Sequence, residues 1–385
     1  MQKELLQEAL RSPEPLPLHA KLRDAMRLQI QDGLLKPGEL LPSERALREM
    51  LNVSRSTVRQ AINSLIQEGL LLSVPGKGTF VLARTEPVNG RGLVALIVSR
   101  PNFHFFYPQL AASFETAVRE AKYGLVMSLH SDQAEVLLER IDELVQTQPL
   151  AALALIPPRF GDLSKVVAKV QALGLPCVFI GRTAGNQPVD SVSVDNVGIG
   201  LRATQHLIDL GHRRILHIGF TDYSTGIERA SGYRQAMEAA GLARYVDVRP
   251  IPEHHVQLSS EGLDEDSNIR IAQPARQLAT DILSSPDRPS ALFCFNDVTA
   301  MGVYKAARDL AIAIPQQLSL ISVDNLPTVL HFEVPLSTFA LPGAELGRQA
   351  AELLLDQMRN GEGRRPRQLL LPAQFMPRQS TQPPS

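Results

Sequence analysis

Residues 41–81, LPSERALREMLNVSRSTVRQAINSLIQEGLLLSVPGKGTFV, decide the fold of the first part of this chain. In the middle of the stretch, four apolar residues recur with the i, i+3, i+4, i+7 spacing of a helix that buries one face: Val58, Ala61, Ile62 and Leu65. Ser43 and Ser54 precede the two helical segments, where a hydroxyl caps a helix start. The turn PGKG then separates two short apolar runs, and this pattern predicts a β-hairpin.

A further helix precedes this stretch. Leu22, Met26 and Ile30 recur every four residues, and Gly33 ends the pattern. Three helices followed by a hairpin are the elements of a winged helix-turn-helix, in which the last helix enters the major groove of DNA. We therefore expect a winged helix-turn-helix over residues 18–82.

The solvent face of the last helix has the chemistry that DNA binding requires. Arg55, Ser56, Arg59 and Asn63 lie opposite the buried stripe. Arginines reach guanine edges, whereas hydroxyls and helix N-termini bind phosphate. A surface helix can also carry two arginines without binding DNA. The glycines on both sides of Lys77 allow the hairpin tip to approach a phosphate backbone closely, which favours the DNA interpretation.

Residues 41–81 resemble the GntR-type winged helix-turn-helix, and the match extends from Leu18 to Leu82. The resemblance implies DNA contacts from the second helix, the third helix and the wing tip: Arg45, Ser54, Arg55, Thr57, Arg59 and Gly76. We add two neighbouring residues to the expected DNA contacts because of their positions: Ser56 lies on the exposed face of the third helix, and Lys77 lies in the wing. The partner that this resemblance implies is double-stranded operator DNA.

The charge of the chain is unevenly distributed. The net charge is −1, but residues 1–84 carry twelve basic and nine acidic residues, whereas the remainder carries 27 and 31. The positive excess of the first part gives weak support to a DNA-facing segment. We interpret residues 1–17 as a polar leader and residues 83–92, which hold proline, glycine and charges, as a linker.

From Leu93 onward, short apolar runs alternate with amphipathic helical segments. Four of these runs are typical of strands, and each is separated from the next by a helix of about 12 residues: GLVALIVS, GLVMSLH, LAALALIP and PCVFIG. RRILHIGF, ALFCFND and LSLISVDN continue the pattern. This alternation predicts an α/β fold with doubly wound parallel sheets over residues 93–375. Residues 249–275 are polar and aperiodic, and we interpret them as a surface insertion.

The second part resembles the ligand-binding domain of LacI-type repressors, which is related to periplasmic sugar-binding proteins. The resemblance rests on strings such as PVDSVSVDNVGIGLRATQHLIDLGHRRILHIG, IERASGYRQAMEAAGL and FNDVTAMGVYKAARDLAIAIPQQLSLISVDN. It implies two lobes with a ligand between them. The first would comprise residues 93–195 and 338–360, and the second residues 196–337 and 361–375. A GntR-type head on a LacI-like body is the arrangement of arabinose-repressor-like regulators.

Carried over position by position, the resemblance implies polar ligand contacts from Arg229, Asn296 and Asp324 and aromatic contacts from Phe106 and Tyr107. Sugar hydroxyls need charged partners that form bidentate hydrogen bonds, and aromatic faces contact C–H surfaces. Each residue also has a structural interpretation. The aromatic pair would belong to the core, Asn296 would cap a helix, Asp324 would accept from loop amides, and Arg229 would be a surface charge.

One expected ligand contact departs from the family pattern. Arg182 stands where several relatives carry a ligand-binding aspartate, so the identity of the sugar stays open. A nucleobase or another non-sugar ligand is one alternative, and a cytoplasmic sugar-binding protein without a regulatory role is another. In the preferred interpretation, a homodimer binds operator DNA as a repressor, and a small ligand in the cleft releases it.

Composition and motifs argue against several other classes. No apolar run reaches the roughly 18–20 residues of a membrane helix, and the N-terminal residues lack the apolar segment of a secretory signal. Cys177 and Cys294 lie far apart in apolar runs, as expected for buried thiols in a cytoplasmic protein. We find no nucleophile elbow, metal-ligand cluster or phosphate loop. We therefore expect a protein that is not an enzyme and has no cofactor and no metal.

Overall fold

The computed structural model describes all residues except 1–2, 12–16, 32–33, 36–38, 68–69, 75–77, 82–91, 100–105, 184–186, 252–265, 361–364 and 385. The chain divides into two compact units, Met1–Pro87 and Val88–Ser385, which we term the head and the body. Of the expected linker, residues 83–92, only Gly92 lies within the described part of the chain.

The head forms the expected winged helix-turn-helix. Its described elements are α1 (Lys3–Arg11), α2 (Leu18–Gln31), α3 (Glu44–Leu51), α4 (Arg55–Gln67), β1 (Leu71–Val74) and β2 (Gly78–Val81). The two strands pair antiparallel, with Val74 opposite Gly78. The backbone N–H of Leu41 donates to the carbonyl oxygen of Thr79 at 2.8 Å, and that of Val81 donates to Glu39 at 2.9 Å. These bonds attach the segment before α3 to the hairpin.

The head core contains the predicted apolar stripes and one helix that the sequence did not reveal. The predicted stripe residues are all buried: Leu22, Met26, Ile30, Val58, Ala61, Ile62 and Leu65. The interpretation of residues 1–17 as a polar leader is wrong, because Lys3–Arg11 forms α1 and Leu6 is fully buried in this core. The side-chain amide of Gln7 also donates to the carbonyl oxygen of Met50 at 3.1 Å. A nine-residue helix is too short for its periodicity to stand out.

The body alternates strands and helices as predicted. Its strands are β3 (Leu93–Ser99), β4 (Gly124–His130), β5 (Leu150–Leu155), β6 (Cys177–Gly181), β7 (Asp190–Val194), β8 (Ile215–Gly219), β9 (Val248–Pro250), β10 (Ala291–Cys294), β11 (Ser319–Asp324), β12 (Ser337–Ala340), β13 (Gln368–Leu371) and β14 (Gln374–Met376). Its helices are α5 (Phe106–Glu120), α6 (Ala134–Thr147), α7 (Leu163–Leu173), α8 (Asn196–Asp209), α9 (Ser224–Ala239), α10 (Asp266–Leu283), α11 (Asp297–Asp309) and α12 (Gly343–Asn360).

The strands form two six-stranded sheets, one in each lobe. The first-lobe sheet has the order β13-β7-β6-β5-β3-β4 and is parallel throughout. The second-lobe sheet has the order β14-β12-β11-β10-β8-β9 and is parallel except for β14. Helices α5, α6, α7 and α12 pack on the first sheet, and α8 to α11 pack on the second. The doubly wound α/β fold is therefore confirmed.

Between its described elements, the chain passes from one lobe to the other three times, after β7, β12 and β13. The structure differs from the expected lobe division at two places. Ser337–Ala340 pairs with β11 in the second lobe, and Gln368–Leu371 pairs with β7 in the first. Because α12 packs on the first lobe, the strand after it joins that lobe before the chain crosses back. Only β14 and the residues after it return to the second lobe.

The interpretation of residues 249–275 as an aperiodic insertion is also wrong at both of its ends. Val248–Pro250 forms the edge strand β9, and Asp266–Leu283 forms α10. Ala272 and Ala275 are buried against the second-lobe core. Small alanines make a weak apolar signal, and for this reason the helix could not be recognised in the polar sequence.

Two glycines bring α8 and α9 into backbone contact. A Cβ atom built on Gly200 would lie 2.1 Å from the carbonyl oxygen of Arg229, and one on Gly232 would lie 2.0 Å from that of Val197. Both distances are far below van der Waals contact, so any larger residue would force the helices apart. This close packing sets the position of Arg229 relative to Asn196 at the start of α8.

None of the helices in the described part of the chain combines the length and the apolar character that crossing a membrane requires. The described residues also contain no group of three or more His, Cys, Asp and Glu side chains placed to hold a metal ion.

The buried position of Leu6 predicts that α1 stabilises the head. We expect Leu6→Ala to lower the free energy of unfolding by about 2–5 kcal/mol, because the substitution leaves a cavity in the head core. Differential scanning calorimetry of the full chain measures this loss. Leu5→Ala is the matched control, since Leu5 lies on the same helix and is 43% exposed. Equal melting temperatures for the two variants would contradict the assignment of α1 to the core.

Candidate DNA interface and ligand cleft

The exposed face of α4 presents the polar residues that the sequence predicted. Arg55, Ser56, Arg59 and Asn63 are exposed, whereas the opposite face of the helix is buried in the head core. Asn52 has φ of 52°, a left-handed conformation that turns the chain between α3 and α4. The arrangement leaves two guanidinium groups and several polar side chains in solvent on one side of the helix, as groove binding requires.

The N-terminus of α4 is organised by hydroxyl groups. The Oγ atom of Ser54 accepts the backbone N–H of Thr57 at 3.1 Å, so the predicted cap is confirmed. The same Oγ atom lies 2.8 Å from the hydroxyls of both Ser56 and Thr57. An ion pair of 3.5 Å between Arg55 Nε and Glu44 Oε2 links α4 to α3. Exposed hydroxyls and an arginine thus surround a helix N-terminus, which favours phosphate.

Three of the expected DNA contacts lie wholly or partly outside the described residues. Gly76 and Lys77 fall in residues 75–77, and for Arg45 only the backbone position on α3 is described. The other five expected contacts lie together at the start and on the exposed side of α4: Ser54, Arg55, Ser56, Thr57 and Arg59.

In the body, polar and aromatic side chains of both lobes meet beyond the carboxyl ends of the parallel strands, in a region that we term the cleft. The strand order reverses between β3 and β5 in the first sheet and between β8 and β10 in the second. Doubly wound sheets bind ligands at such reversals. Tyr107 and Arg159 follow β3 and β5, and Tyr223 and Asn296 follow β8 and β10.

Arg229 on α9 forms the centre of a buried hydrogen-bonded group. Its Nε donates to Oδ1 of Asn196 at 3.1 Å, and its Nη1 donates to the carbonyl oxygen of Phe295 at 2.6 Å. The guanidinium also lies 4.5 Å above the Phe295 ring. Burial lowers the pKa of Arg229, and Asp324 is the acid that most opposes this shift. The alternative in which Arg229 is a surface charge is therefore wrong, because its side chain is 3% exposed.

Glu228, the neighbour of Arg229, connects the two lobes. Its Oε1 accepts the hydroxyl of Thr183 at 2.7 Å, and its Oε2 accepts the side-chain amide of Asn196 at 3.0 Å. Thr183 follows β6 in the first lobe, whereas Glu228 belongs to α9 in the second. A charge-assisted hydrogen bond therefore crosses the cleft directly beside Arg229.

Arg182 forms a largely buried ion pair with Asp132. Arg182 Nη1 lies 2.6 Å from Asp132 Oδ1 and also donates to the carbonyl oxygen of Pro157 at 2.5 Å. Burial opposes the charge of Arg182, but the Asp132 carboxylate raises its pKa above the ordinary value. His130 holds this pair in place, because its Nδ1 accepts the backbone N–H of Asp132 and its Nε2 donates to Ile156. Burial lowers the pKa of His130 to about 4, so its ring is neutral near pH 7.

Arg159 of the first lobe reaches an aromatic cluster of the second lobe. Its guanidinium carbon lies 4.3 Å from the ring centre of Tyr223 and 4.9 Å from that of Phe220. Phe295 contacts both rings edge-on, with centroid distances of 5.1 and 5.9 Å. Such cation–π contacts contribute about 0.5–2 kcal/mol each, more when they are desolvated. Arg159 therefore adds a second type of contact between the lobes.

Asp324 ends β11 in an uncommon backbone conformation. Its φ is 117° and that of Asn325 is 57°, and two consecutive positive values outside glycine are rare. Asp297 supports the turn, since its carboxylate accepts Leu326 N–H at 2.7 Å, the Thr338 hydroxyl at 2.8 Å and the Ser322 hydroxyl. Burial raises the pKa of Asp297 to about 7, and the charge of Asp324 acts in the same direction. Strained backbone of this kind clusters at binding sites.

The remaining expected ligand residues are Asn296, Tyr107 and Phe106, and the first two form hydrogen bonds within the protein. Asn296 caps α11, with its amide oxygen accepting Thr299 N–H at 2.9 Å and the Thr299 hydroxyl at 2.8 Å, so its structural interpretation is confirmed. Capping leaves its amide nitrogen able to donate to a ligand. The Tyr107 hydroxyl lies 3.0 Å from Ser99 Oγ, and burial raises its pKa. For Phe106, only the position at the start of α5 is described.

The cleft therefore joins Tyr107, Arg182, Arg229, Asn296 and Asp324, and it contains residues that the sequence reading missed. The missed residues all follow, within a few positions, the end of a predicted strand or the start of a helix at the same edge: Asp132, Arg159, Thr183, Asn196, Tyr223 and Glu228. Examination of every predicted strand end for polar residues would have selected Asp132, Arg159, Thr183 and Tyr223.

Comparison with known proteins assigns a family to each part of the chain. Residues 18–81 match the family of bacterial regulatory proteins of the gntR type, and residues 204–381 match the periplasmic binding protein-like domain. An arabinose metabolism transcriptional repressor of Geobacillus stearothermophilus is 27% identical over 353 residues, which is 89% of this chain and 92% of the relative. The transcriptional repressor PurR of Vibrio atlanticus (strain LGP32) is 30% identical over 280 residues, which is 72% and 78% of the two chains.

A solved structure covers both parts. The complex of the transcriptional regulator CelR with cellobiose superposes with a TM-score of 0.62 and 25% identity, covering 87% of this chain and 94% of that one.

The contact between Arg159 and Tyr223 predicts that the two lobes separate more easily when the guanidinium is removed. The chain contains no tryptophan, so Tyr223→Trp introduces a single fluorescent reporter at the contact. In that background we expect Arg159→Met to shift the emission to longer wavelength, because water enters between the lobes once the cation–π contact is lost. Arg140→Met, which removes an exposed arginine of α6, is the control. An unchanged spectrum would show that Arg159 does not hold the lobes together.

Proposed function

Because the chain belongs to the family of transcription regulators that join a GntR-type head to a periplasmic-binding-protein-like body, we propose that it represses transcription and that a sugar in the cleft controls its affinity for operator DNA. One observation carries the proposal. The same chain combines an exposed, cationic recognition helix with a cleft of buried, paired charges at the carboxyl ends of two parallel sheets. The first suits a nucleic acid, and the second suits a small polar ligand.

In the proposed complex, α4 enters the major groove of the operator. Arg55 and Arg59 read base edges, and the hydroxyls of Ser54, Ser56 and Thr57 fix the helix on the phosphate backbone. We include Arg45 and Gly76 as further contacts on the strength of the family resemblance, and Lys77 because it is the neighbour of Gly76 in the wing. Phosphate contacts make the affinity depend strongly on salt.

The proposed assembly is a homodimer, since winged helices of this type read two half-sites. The edge of the first-lobe sheet supports this assembly. Met127 and Leu129 lie on the edge strand β4 and are 50% and 47% exposed, and both side chains point to the same face. Exposed apolar residues in a row on an edge strand are favourable sites for contact with a second copy.

A sugar is the proposed ligand because relatives of this chain are named for sugars and because the cleft has the groups that bind sugars. One relative is an arabinose metabolism repressor, and the matching CelR structure holds cellobiose. Arg229, Asp324 and Glu228 offer charged hydrogen-bond partners, and Tyr223 and Phe220 offer aromatic faces.

The alternative of a nucleobase ligand has one specific support. The aromatic cluster of Phe220, Tyr223 and Phe295 also suits the flat face of a purine or pyrimidine. A binding panel therefore includes nucleobases beside pentoses, hexoses and disaccharides.

Control of DNA binding requires a difference in ligand affinity between two arrangements of the body. A ligand that contacts both lobes would supply such a difference, because it favours the arrangement in which Glu228 and Arg159 reach the opposite lobe. We propose that this change lowers operator affinity, that the protein acts in the cytoplasm, where the DNA is, and that no catalytic step takes part.

The DNA interface is tested by Arg59→Ala. We expect the affinity for operator DNA, measured by fluorescence anisotropy on the upstream region of its own gene, to fall by about 1–3 kcal/mol with an unchanged melting temperature. Arg119→Ala, which removes an exposed arginine of α5, serves as the control and should bind as the wild type does. Normal operator affinity in Arg59→Ala would contradict the proposal that α4 contacts the operator.

The ligand cleft is tested by Asp324→Asn. We expect sugar affinity in isothermal titration calorimetry to fall by about 10–100-fold, because hydrogen bonds to a charged acceptor are lost. Operator affinity without sugar should stay unchanged, whereas the effect of sugar on operator binding should disappear. Asp287→Asn, at an exposed acid of the same lobe, is the control. A variant that still responds fully to sugar would place the ligand elsewhere.

A further inference from the structure

We propose that Arg378, which follows the last strand, is a positioning residue for the cleft. In this proposal, Arg378 holds the turn at Asp324 and Asn325 and thereby keeps the Asp324 carboxylate near Arg229. The expected consequence for ligand binding rests on the proposed function, whereas the effect on the turn itself does not.

The turn requires an external support. Asp324 and Asn325 have φ values of 117° and 57°, and neither residue is glycine. Residues in such conformations persist only where the surrounding structure holds them. The position of the Asp324 carboxylate, which acts on Arg229, Tyr107 and Asp297, depends on this backbone.

Arg378 supplies one support through its side chain. Its Nη2 donates to Oδ1 of Asn325 at 2.5 Å, and its Nη1 donates to the carbonyl oxygen of Leu336 at 2.7 Å. The planar guanidinium therefore connects the turn after β11 with the residue before β12. Two donors in one rigid plane fix the distance between these segments, which a flexible lysine would not do.

The backbone of Arg378 is itself fixed. Its N–H donates to Ser337 Oγ at 2.9 Å. Two residues later, Ser380 is fully buried, accepts Leu320 N–H at its carbonyl oxygen at 2.7 Å, and donates its hydroxyl to the Leu320 carbonyl oxygen at 2.6 Å. The segment after β14 is thus hydrogen-bonded to both β11 and β12, and Arg378 extends from a rigid base.

Asp297 supports the other side of the same turn through Leu326 N–H. The two supports differ in one useful respect. Asp297 is adjacent to Asn296, and the charge of Asp324 raises its pKa, whereas the Arg378 side chain acts on the turn through the Asn325 side chain and the Leu336 carbonyl. Substitution of Arg378 therefore tests the support of the turn without removing an expected ligand contact.

The first experiment measures the turn without any ligand. We expect Arg378→Met to accelerate amide hydrogen exchange in the peptide that contains Asn325 and Leu326, measured by mass spectrometry on the full-length protein. Arg367→Met is the matched control, because Arg367 belongs to the same C-terminal part of the chain but pairs with Asp356 in the first lobe. Unchanged exchange at Asn325 and Leu326, or a lower melting temperature with uniform acceleration, would overturn the proposal.

The second experiment is a double-mutant cycle with Asn325→Gly, which removes the acceptor and accommodates a positive φ. L-arabinose, D-ribose and D-cellobiose are the probes in isothermal titration calorimetry. We expect Arg378→Met to weaken sugar binding about tenfold in the wild-type background and less than about twofold in the Asn325→Gly background. Equal losses in both backgrounds would overturn the proposed route through Asn325. If the wild type binds none of the three sugars, these sugars are excluded as ligands, while the exchange experiment still decides the role of Arg378.

Discussion

The backbone contact between α8 and α9 is the constraint on which the cleft depends. Because Gly200 and Gly232 have no Cβ atom, a carbonyl oxygen of each helix can lie against the backbone of the other. Only at this separation does Asn196 form hydrogen bonds with both Arg229 and Glu228. Glu228 in turn accepts a hydrogen bond from the hydroxyl of Thr183 in the first lobe. One helix pair thus determines the geometry of the second-lobe polar groups and the hydrogen bond that joins the lobes.

Two arginines of the cleft have acids that compensate their charge. Arg182 faces Asp132, and the charge of Asp324 acts on Arg229. Removing ions from water is costly unless partners are close, so these pairs exist before any ligand arrives. A ligand that binds beside these arginines meets charges that are already compensated within the protein. This property suits a neutral polyol, because each hydroxyl both donates and accepts.

The sequence predicted the classes of structure well and the details of the site less well. The stripe from Val58 to Leu65 and the alternating apolar runs define periodic patterns, and periodic patterns translate directly into helices and strands. The failures have physical causes. Helix α1 is short, α10 buries alanines, and the membership of β13 in the first lobe depends on where α12 packs. Arg159 contacts aromatic residues that lie more than sixty positions away in the sequence, and a local sequence pattern contains no information about such a contact.

The three crossings between the lobes have a consequence for biosynthesis. The first lobe needs β13 and the second needs β14, and both strands lie more than 280 residues after the last strand of the head. Neither lobe can complete its sheet until residues 368–376 have left the ribosome, whereas every described element of the head lies before residue 82. A translation product that stops before residue 368 therefore carries the described elements of the head attached to two lobes whose sheets each lack a strand.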